Sequence, residues 1–118
     1  MKFTKNSPIY IQIKDYIIMK ILKKKWEPEK RIPSIRDLAV TLEVNPNTVM
    51  RAYSELEDDN IIYNKRGIGY FVEENALDKV IEREKEKFFE KQLPKIFKKM
   101  ELLDINFAQI KKYYEKIE

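Results

Sequence analysis

Eight residues carry groups suited to gripping or reading a nucleic acid. Arg36, Asn47, Thr48, Arg51 and Ser54 fall in one stretch, and Lys65, Arg66 and Gly67 in another. An arginine guanidinium can fork onto O6 and N7 of guanine, and an asparagine amide can do the same with N6 and N7 of adenine. Thr48 can meet a phosphate or a thymine methyl, and its flank position equally permits a purely local hydrogen bond. Ser54, with Met50, can line the groove. Lys65 and Arg66 can lie on a backbone or reach into a minor groove, with Gly67 loosening the turn between them and the next strand. Catalysis has no comparable set. The chain has no histidine and no cysteine, so the commonest general base, the commonest metal ligand and thiolate chemistry are missing. Gly67 and Gly69 are not a phosphate loop, because no helix start follows them. Asp58 and Asp59 alone lack the geometry of a metal site. Neither an enzyme nor a cofactor or metal is expected.

The elements that must position these groups can be read from spacing. The stretch Ile32–Tyr53, IPSIRDLAVTLEVNPNTVMRAY, reads as two short helices about a tight turn. Ser34 can cap the first helix, with Asp37 three residues on as a near capping box. Ile35, Leu38, Ala39 and Leu42 share one face of it. Glu43-Val44 is the turn. Asn45 caps the second helix and Pro46 sits at its first position, where a missing N–H costs nothing. Val49, Ala52, Tyr53 and Leu56 make that helix's buried stripe, leaving Asn47, Met50, Arg51 and Ser54 outward. Such a pair is a helix-turn-helix, whose second helix enters a major groove.

On either side the pattern is equally plain. Residues 1–7 read as a loose arm. Pro8 opens a helix to about Lys24, with Ile9, Ile13, Tyr16, Ile17 and Ile21 on one face. Lys23, Lys24 and Lys25 form its solvated, dipole-matched end, and Trp26 anchors the connection. After Asp58-Asp59-Asn60 the period changes. Ile61-Ile62-Tyr63 and Gly69-Tyr70-Phe71-Val72 read as strands of a hairpin whose tip is Asn64-Lys65-Arg66-Gly67-Ile68. Helix, helix-turn-helix and hairpin together make a winged helix, the hairpin being the wing.

Composition sets the frame. The 118 residues include 24 basic and 20 acidic side chains, net +4, and only two glycines. Residues 1–74 carry 13 basic and 11 acidic groups, and residues 75–118 carry 11 and 9. Neither part is basic by count, so nucleic-acid binding must rest on where the charges lie. No apolar run is long enough to span a membrane, and the N-terminus lacks a signal peptide's apolar region. A cytoplasmic protein is expected.

Past Glu74 the chain turns charged and helical. One helix is expected from Ala76 to about Gln92. Pro94 then breaks or kinks it and begins another. Ile96, Met100, Leu103, Phe107, Ile110, Tyr114 and Ile117 follow in alternating steps of four and three. That reads as a heptad seam, with Phe89 ahead of it. So much apolar surface on a short tail points to dimerisation. The aromatic residues in the seam favour an antiparallel or multi-helix packing over a two-stranded zipper.

The runs Pro8-Ile-Tyr-Ile-Gln-Ile, Ile32-Pro-Ser-Ile-Arg-Asp-Leu-Ala, Val44-Asn-Pro-Asn-Thr-Val-Met-Arg-Ala-Tyr and Arg66-Gly-Ile-Gly-Tyr-Phe-Val resemble the GntR family of bacterial transcription regulators. The Asn-Pro-Asn-Thr-Val version is similar to its YtrA-like subfamily. The resemblance covers residues 8–73. It implies a winged-helix DNA-binding domain, dimers and palindromic operators, with DNA contacts at Arg36, Asn47, Thr48, Arg51 and the wing around Arg66-Gly67. Family members commonly repress operons, and the subfamily often controls genes for ABC transporters. Its tails resemble a two-helix dimerisation element. Glycines usual in the family near Lys24, Glu29 and Asn60 are replaced here, which suggests a differently built first turn, while Asn60 can mimic glycine. Arginines that many relatives carry at Pro46 and Met50 are absent, so those base contacts do not transfer.

The expected fold is therefore α+β, mostly α. A winged helix-turn-helix domain over residues 1–74 (helix-turn-helix about 34–57, wing about 61–73) precedes a two-helix dimerisation tail over 75–118. The expected function is sequence-specific regulation of transcription, as a homodimeric repressor on double-stranded, palindromic operator DNA. The alternative is a winged-helix module that binds protein. No membrane partner is expected, and the sequence is silent on a small-molecule effector.

Overall fold

The computed structural model describes residues 2–117. Helix α1 (Ile9–Leu22) begins after Pro8 and buries Ile13, Ile17 and Ile21, one residue per turn. Helix α2 (Ile35–Leu42) is capped by Ser34, whose hydroxyl accepts the Asp37 N–H at 3.0 Å. Helix α3 (Pro46–Asp58) is capped by Asn45, whose side-chain oxygen accepts the Asn47 N–H at 2.8 Å. Each cap satisfies a backbone donor that the first helical turn leaves without a partner. Both α1 and α2 pack on α3. Val49, Ala52, Tyr53 and Leu56 of α3 are the centre of the core, joined by Leu38, Ala39, Leu42 and the α1 isoleucines.

The described part of the N-terminal arm, residues 2–7, is not loose. The Gln12 amide accepts the Thr4 N–H at 2.9 Å and donates to the Thr4 and Ser7 carbonyls at 2.8 Å each. Phe3 packs against the core. One polar side chain on α1 thus straps the arm down, a contact that residue spacing does not announce. Met1 lies outside the described residues.

Four helices end alike. Lys24, Glu43, Asn60 and Asp104 take positive φ, between 55° and 60°. Beyond each, the next N–H reaches back five residues: Lys25 to the Lys20 carbonyl, Val44 to Ala39, Ile61 to Leu56 and Ile105 to Met100. This is the Schellman closure, in which glycine usually takes the left-handed position. Glu29 has φ of 64° as well. Lys24 and Glu29 therefore adopt the backbone a glycine would, so the first turn is not differently built.

Strands β1 (Ile62–Lys65) and β2 (Gly69–Val72) pair antiparallel, Ile62 opposite Val72 and Lys65 opposite Gly69. The wing tip is shorter than the sequence suggests, because Asn64 and Lys65 extend β1. The remaining turn, Arg66-Gly67-Ile68, closes through the Ile68 N–H to the Lys65 carbonyl at 2.9 Å, with Gly67 at φ 79°. A side chain is strained at that angle, so glycine belongs there. A third segment pairs with the other edge of β2: the Ile32 N–H bonds the Tyr70 carbonyl at 2.9 Å and the Val72 N–H bonds that of Lys30 at 3.1 Å.

Two compact units divide the chain between Ile81 and Glu82. The first reaches past the wing because Ala76 and Val80, at the start of helix α4 (Ala76–Lys87), are buried in its core. In the second, a π-helical turn over Phe88–Gln92 precedes helix α5 (Leu93–Leu102), the Leu93 N–H bonding the Phe88 carbonyl. Pro94 has no N–H to give, and a wider turn just ahead of it absorbs the loss. Helix α6 (Phe107–Ile117) does not continue α5. Leu103–Asn106 is a turn, with Asp104 left-handed. Asn106 and Gln109 exchange hydrogen bonds at 2.9 and 3.0 Å, a reciprocal cap that starts a new helix. The continuous heptad seam is thus corrected: Ile96 and Met100 lie on α5, Leu103 in the turn, and Phe107, Ile110, Tyr114 and Ile117 on α6. Among the described residues, no side chain of α5 or α6 is buried.

Candidate nucleic-acid interface

The outward face of α3 follows from its buried one. Asn47, Arg51 and Ser54 recur at steps of four and three, opposite Val49, Ala52, Tyr53 and Leu56, and all three are exposed. Met50 flanks them, also exposed, and Thr48 is half-buried. Arg36 is exposed in the first turn of α2. In the wing Lys65, Arg66 and Gly67 are exposed. All eight side chains or backbone positions belong to the first compact unit, which carries helix-turn-helix and wing together.

Arg51 is held rather than free. Its Cζ lies 3.7 Å from the centroid of the Tyr10 ring on α1. Its Nε is 3.4 Å from Glu55 one turn along α3, and the other Glu55 oxygen takes Lys14 at 2.9 Å. The lysine hydrogen bond, helped by Arg51, holds the Glu55 carboxyl below the usual glutamate range. The carboxylate therefore stays charged at neutral pH and fixes the guanidinium's direction. Tyr10, Lys14 and Glu55 were missed as site residues. Glu55 could have been found as an acid four residues from Arg51; Tyr10, across the core in sequence, could not.

The angle between the two helices is tied by Tyr53. Its buried hydroxyl donates to the Pro33 carbonyl at 2.6 Å, directly before the Ser34 cap. Its ring meets Tyr70 of β2 edge-on at 4.9 Å. Burial pushes the Tyr53 hydroxyl far above the ordinary tyrosine value, with Tyr70 and Asp37 adding to it. It remains a neutral donor, linking α3, the entry to α2 and the wing.

The tail residues lie in the second unit. Phe89, Ile96, Leu103, Phe107, Ile110 and Tyr114 are exposed, and Met100 is half-buried. Phe107, Ile110 and Tyr114 line one shallow apolar hollow on α6 with the stem of Lys111. Among the described residues, no helix is long and apolar enough to cross a membrane.

Known proteins share this arrangement. The repressor YtrA of Bacillus subtilis (strain 168) is 42% identical over 77 residues, 65% of this chain and 59% of that protein. A GntR family transcriptional regulator from Listeria monocytogenes superposes with a TM-score of 0.77 at 37% identity, over 98% of this chain and all of that one. The DNA-binding domain of AraR, solved in complex with its operator ORX1, superposes with a TM-score of 0.56 at 28% identity, over 61% of this chain and 92% of that one. The pattern of the bacterial regulatory proteins of the gntR family matches residues 9–72, the span from α1 to the end of the wing. The chain carries the winged helix-turn-helix of a transcription regulator, and it belongs to the gntR family.

Proposed function

We propose that this protein is a homodimeric repressor that reads a palindromic operator in double-stranded DNA. The observation that carries the reading is the outward stripe of α3, where Asn47 and Ser54 stand exposed on either side of the Arg51 guanidinium, itself aimed by Tyr10 and Glu55. In each subunit α3 enters a major groove, with Asn47 and Arg51 on base edges and Arg36 and Thr48 on the backbone. Lys65, Arg66 and Gly67 meet the neighbouring backbone or minor groove. The AraR domain's operator complex supports this use of the same fold.

The tail supplies the second subunit. Exposed large apolar side chains on α5 and α6 need a cover, and a second copy of the same helices is self-complementary. We read it as a cytoplasmic protein that acts on an operon, such as one for an ABC transporter, in keeping with the family resemblance of its sequence. Selection from a randomised duplex library by the purified protein, at two salt concentrations, tests the reading. The expected result is a palindrome with half-site centres about 10 bp apart, or a multiple, and steep salt dependence. Sequence-blind binding alone would refute it.

A further inference from the structure

Arg31 lies outside the helix-turn-helix and outside the wing tip. The segment Glu29–Ile32 runs beside β2, and Arg31 bridges Phe71 there. This puts β2 between β1 and a segment that pairs with it through a single bridge. Paired residues share a face of a sheet. Lys65 is opposite Gly69, while Tyr63 and Arg31 are both opposite Phe71. These five residues therefore share the outer face; Ile32, Ile62 and Val72, all buried, hold the inner one.

On that outer face two cations lean over β2 from opposite edges. The Lys65 Nζ stands 4.9 Å from the centroid of the Phe71 ring. The Arg31 guanidinium lies across Gly69: a Cβ there would be 2.9 Å from its Nε, 3.2 Å from Nη2 and 3.3 Å from Cζ. The lack of a side chain at Gly69 is what lets the guanidinium rest on the strand. Tyr63 stacks on Phe71 at 5.6 Å and supports the floor. Both cations are exposed, and among the described residues neither is ion-paired with an acid. Two like charges gathered over one strand repel each other, and an anion between them reverses the sign of that interaction.

We propose that Arg31 and Lys65 form a clamp for one backbone phosphate of bound DNA on the outer face of the wing, beside its turn. The proposal rests on the reading that the wing meets DNA, and adds a residue that neither the helix-turn-helix nor the wing tip contains. The planar arginine fork takes two phosphate oxygens, and the lysine serves as a point charge beside it. Such a contact adds affinity without reading sequence.

The test is a salt titration of binding by the full chain, on the selected palindrome and on a random duplex. Variants are Arg31→Gln, Arg31→Lys, Lys65→Ala and the Arg31→Gln/Lys65→Ala pair. Arg31→Gln and Lys65→Ala should each bind both duplexes roughly three- to tenfold less tightly, with little change in the plot of log affinity against log salt, because the other cation still neutralises the phosphate. Arg31→Lys should recover most of the affinity. The double variant should make that plot shallower by about 0.9, one phosphate's worth. An Arg31→Gln protein with unchanged melting and wild-type affinity would overturn the clamp while leaving the functional reading intact. Single variants that each lose about 0.9 in slope, with a double variant that loses about twice that, would also overturn it, since two phosphates would then be involved. A wild-type protein that binds neither duplex would sink the functional reading, and the clamp with it.

Discussion

The Tyr10 ring on α1 carries the Arg51 guanidinium of α3 on its face, 3.7 Å from centroid to Cζ. The contact joins the first turn of the chain's first helix to the middle of the helix proposed to read DNA. Glu55 closes the other side at 3.4 Å. A long, flexible side chain is thereby restricted before it meets a ligand, and the entropy of ordering it is already lost in the free protein.

Arg51 is accordingly the first residue to change. Arg51→Ala should weaken operator binding by about 1–3 kcal/mol and relax preference at one base pair. Tyr10→Leu should show part of the same loss at the same base pair, and Tyr10→Phe, which keeps the ring face, should show little. Library selection with each variant measures this. Equal losses on operator and random DNA for Arg51→Ala would assign the residue to phosphate instead.

The Glu55 carboxyl gives a pH dependence of known sign. Its proton affinity in the folded protein is lowered, first by the Lys14 hydrogen bond. Its contribution is therefore fully present above the usual glutamate value. It is lost as pH falls through the lower folded value. The Glu55 share of stability, and with it Arg51 placement, should thus be flat from neutral pH down to the ordinary glutamate range and decline only below it. Glu55→Gln should remove that share, read as the difference between wild-type and variant thermal melting across pH.

Tyr53→Phe removes a single oxygen from the core. The Pro33 carbonyl loses its 2.6 Å partner, at a cost of about 1–2 kcal/mol. Denaturant unfolding should report that loss, and operator affinity should fall beyond what stability explains, because the lost bond ties α3 to the entry of α2.

Lys24 should be improvable. A lysine at φ 60° is strained in a way glycine is not, and glycine's extra unfolded-state entropy offsets only part of the relief. Lys24→Gly should raise stability by about 0.5–1 kcal/mol, read from the melting midpoint. Asn60→Gly should gain less, since asparagine tolerates the left-handed region.

In the tail, Phe107→Asp with Ile110→Asp should yield monomers in sedimentation equilibrium while the winged helix keeps its melting transition. A persistent dimer would place the subunit contact elsewhere. The monomer should also lose most operator affinity, because half-sites then bind independently.

Much of this protein is written in its local sequence, because helix caps, buried stripes and turns depend on near neighbours. Ser34 and Asn45 cap the helices their types announce. The apolar spacing in α1, α2 and α3 selects the faces that are buried, and the switch to β-branched and aromatic residues after Asn60 marks the wing. The break before α6 was legible too, in Asn106 and Gln109, but a regular apolar spacing masked it: a heptad count tests periodicity and not whether the helix is continuous. Lys24 and Glu29 misled for a different reason. Their side chains disfavour positive φ, and only closure of the chain around the core imposes it. The contacts that tune the proposed interface belong to tertiary structure alone. Tyr10 on Arg51, Tyr53 on Pro33 and Arg31 over Gly69 each join residues distant in sequence, through packing of α1, α3, β2 and the segment that bridges to β2. No periodicity encodes them, since each depends on where two independently folded elements come to lie against one another.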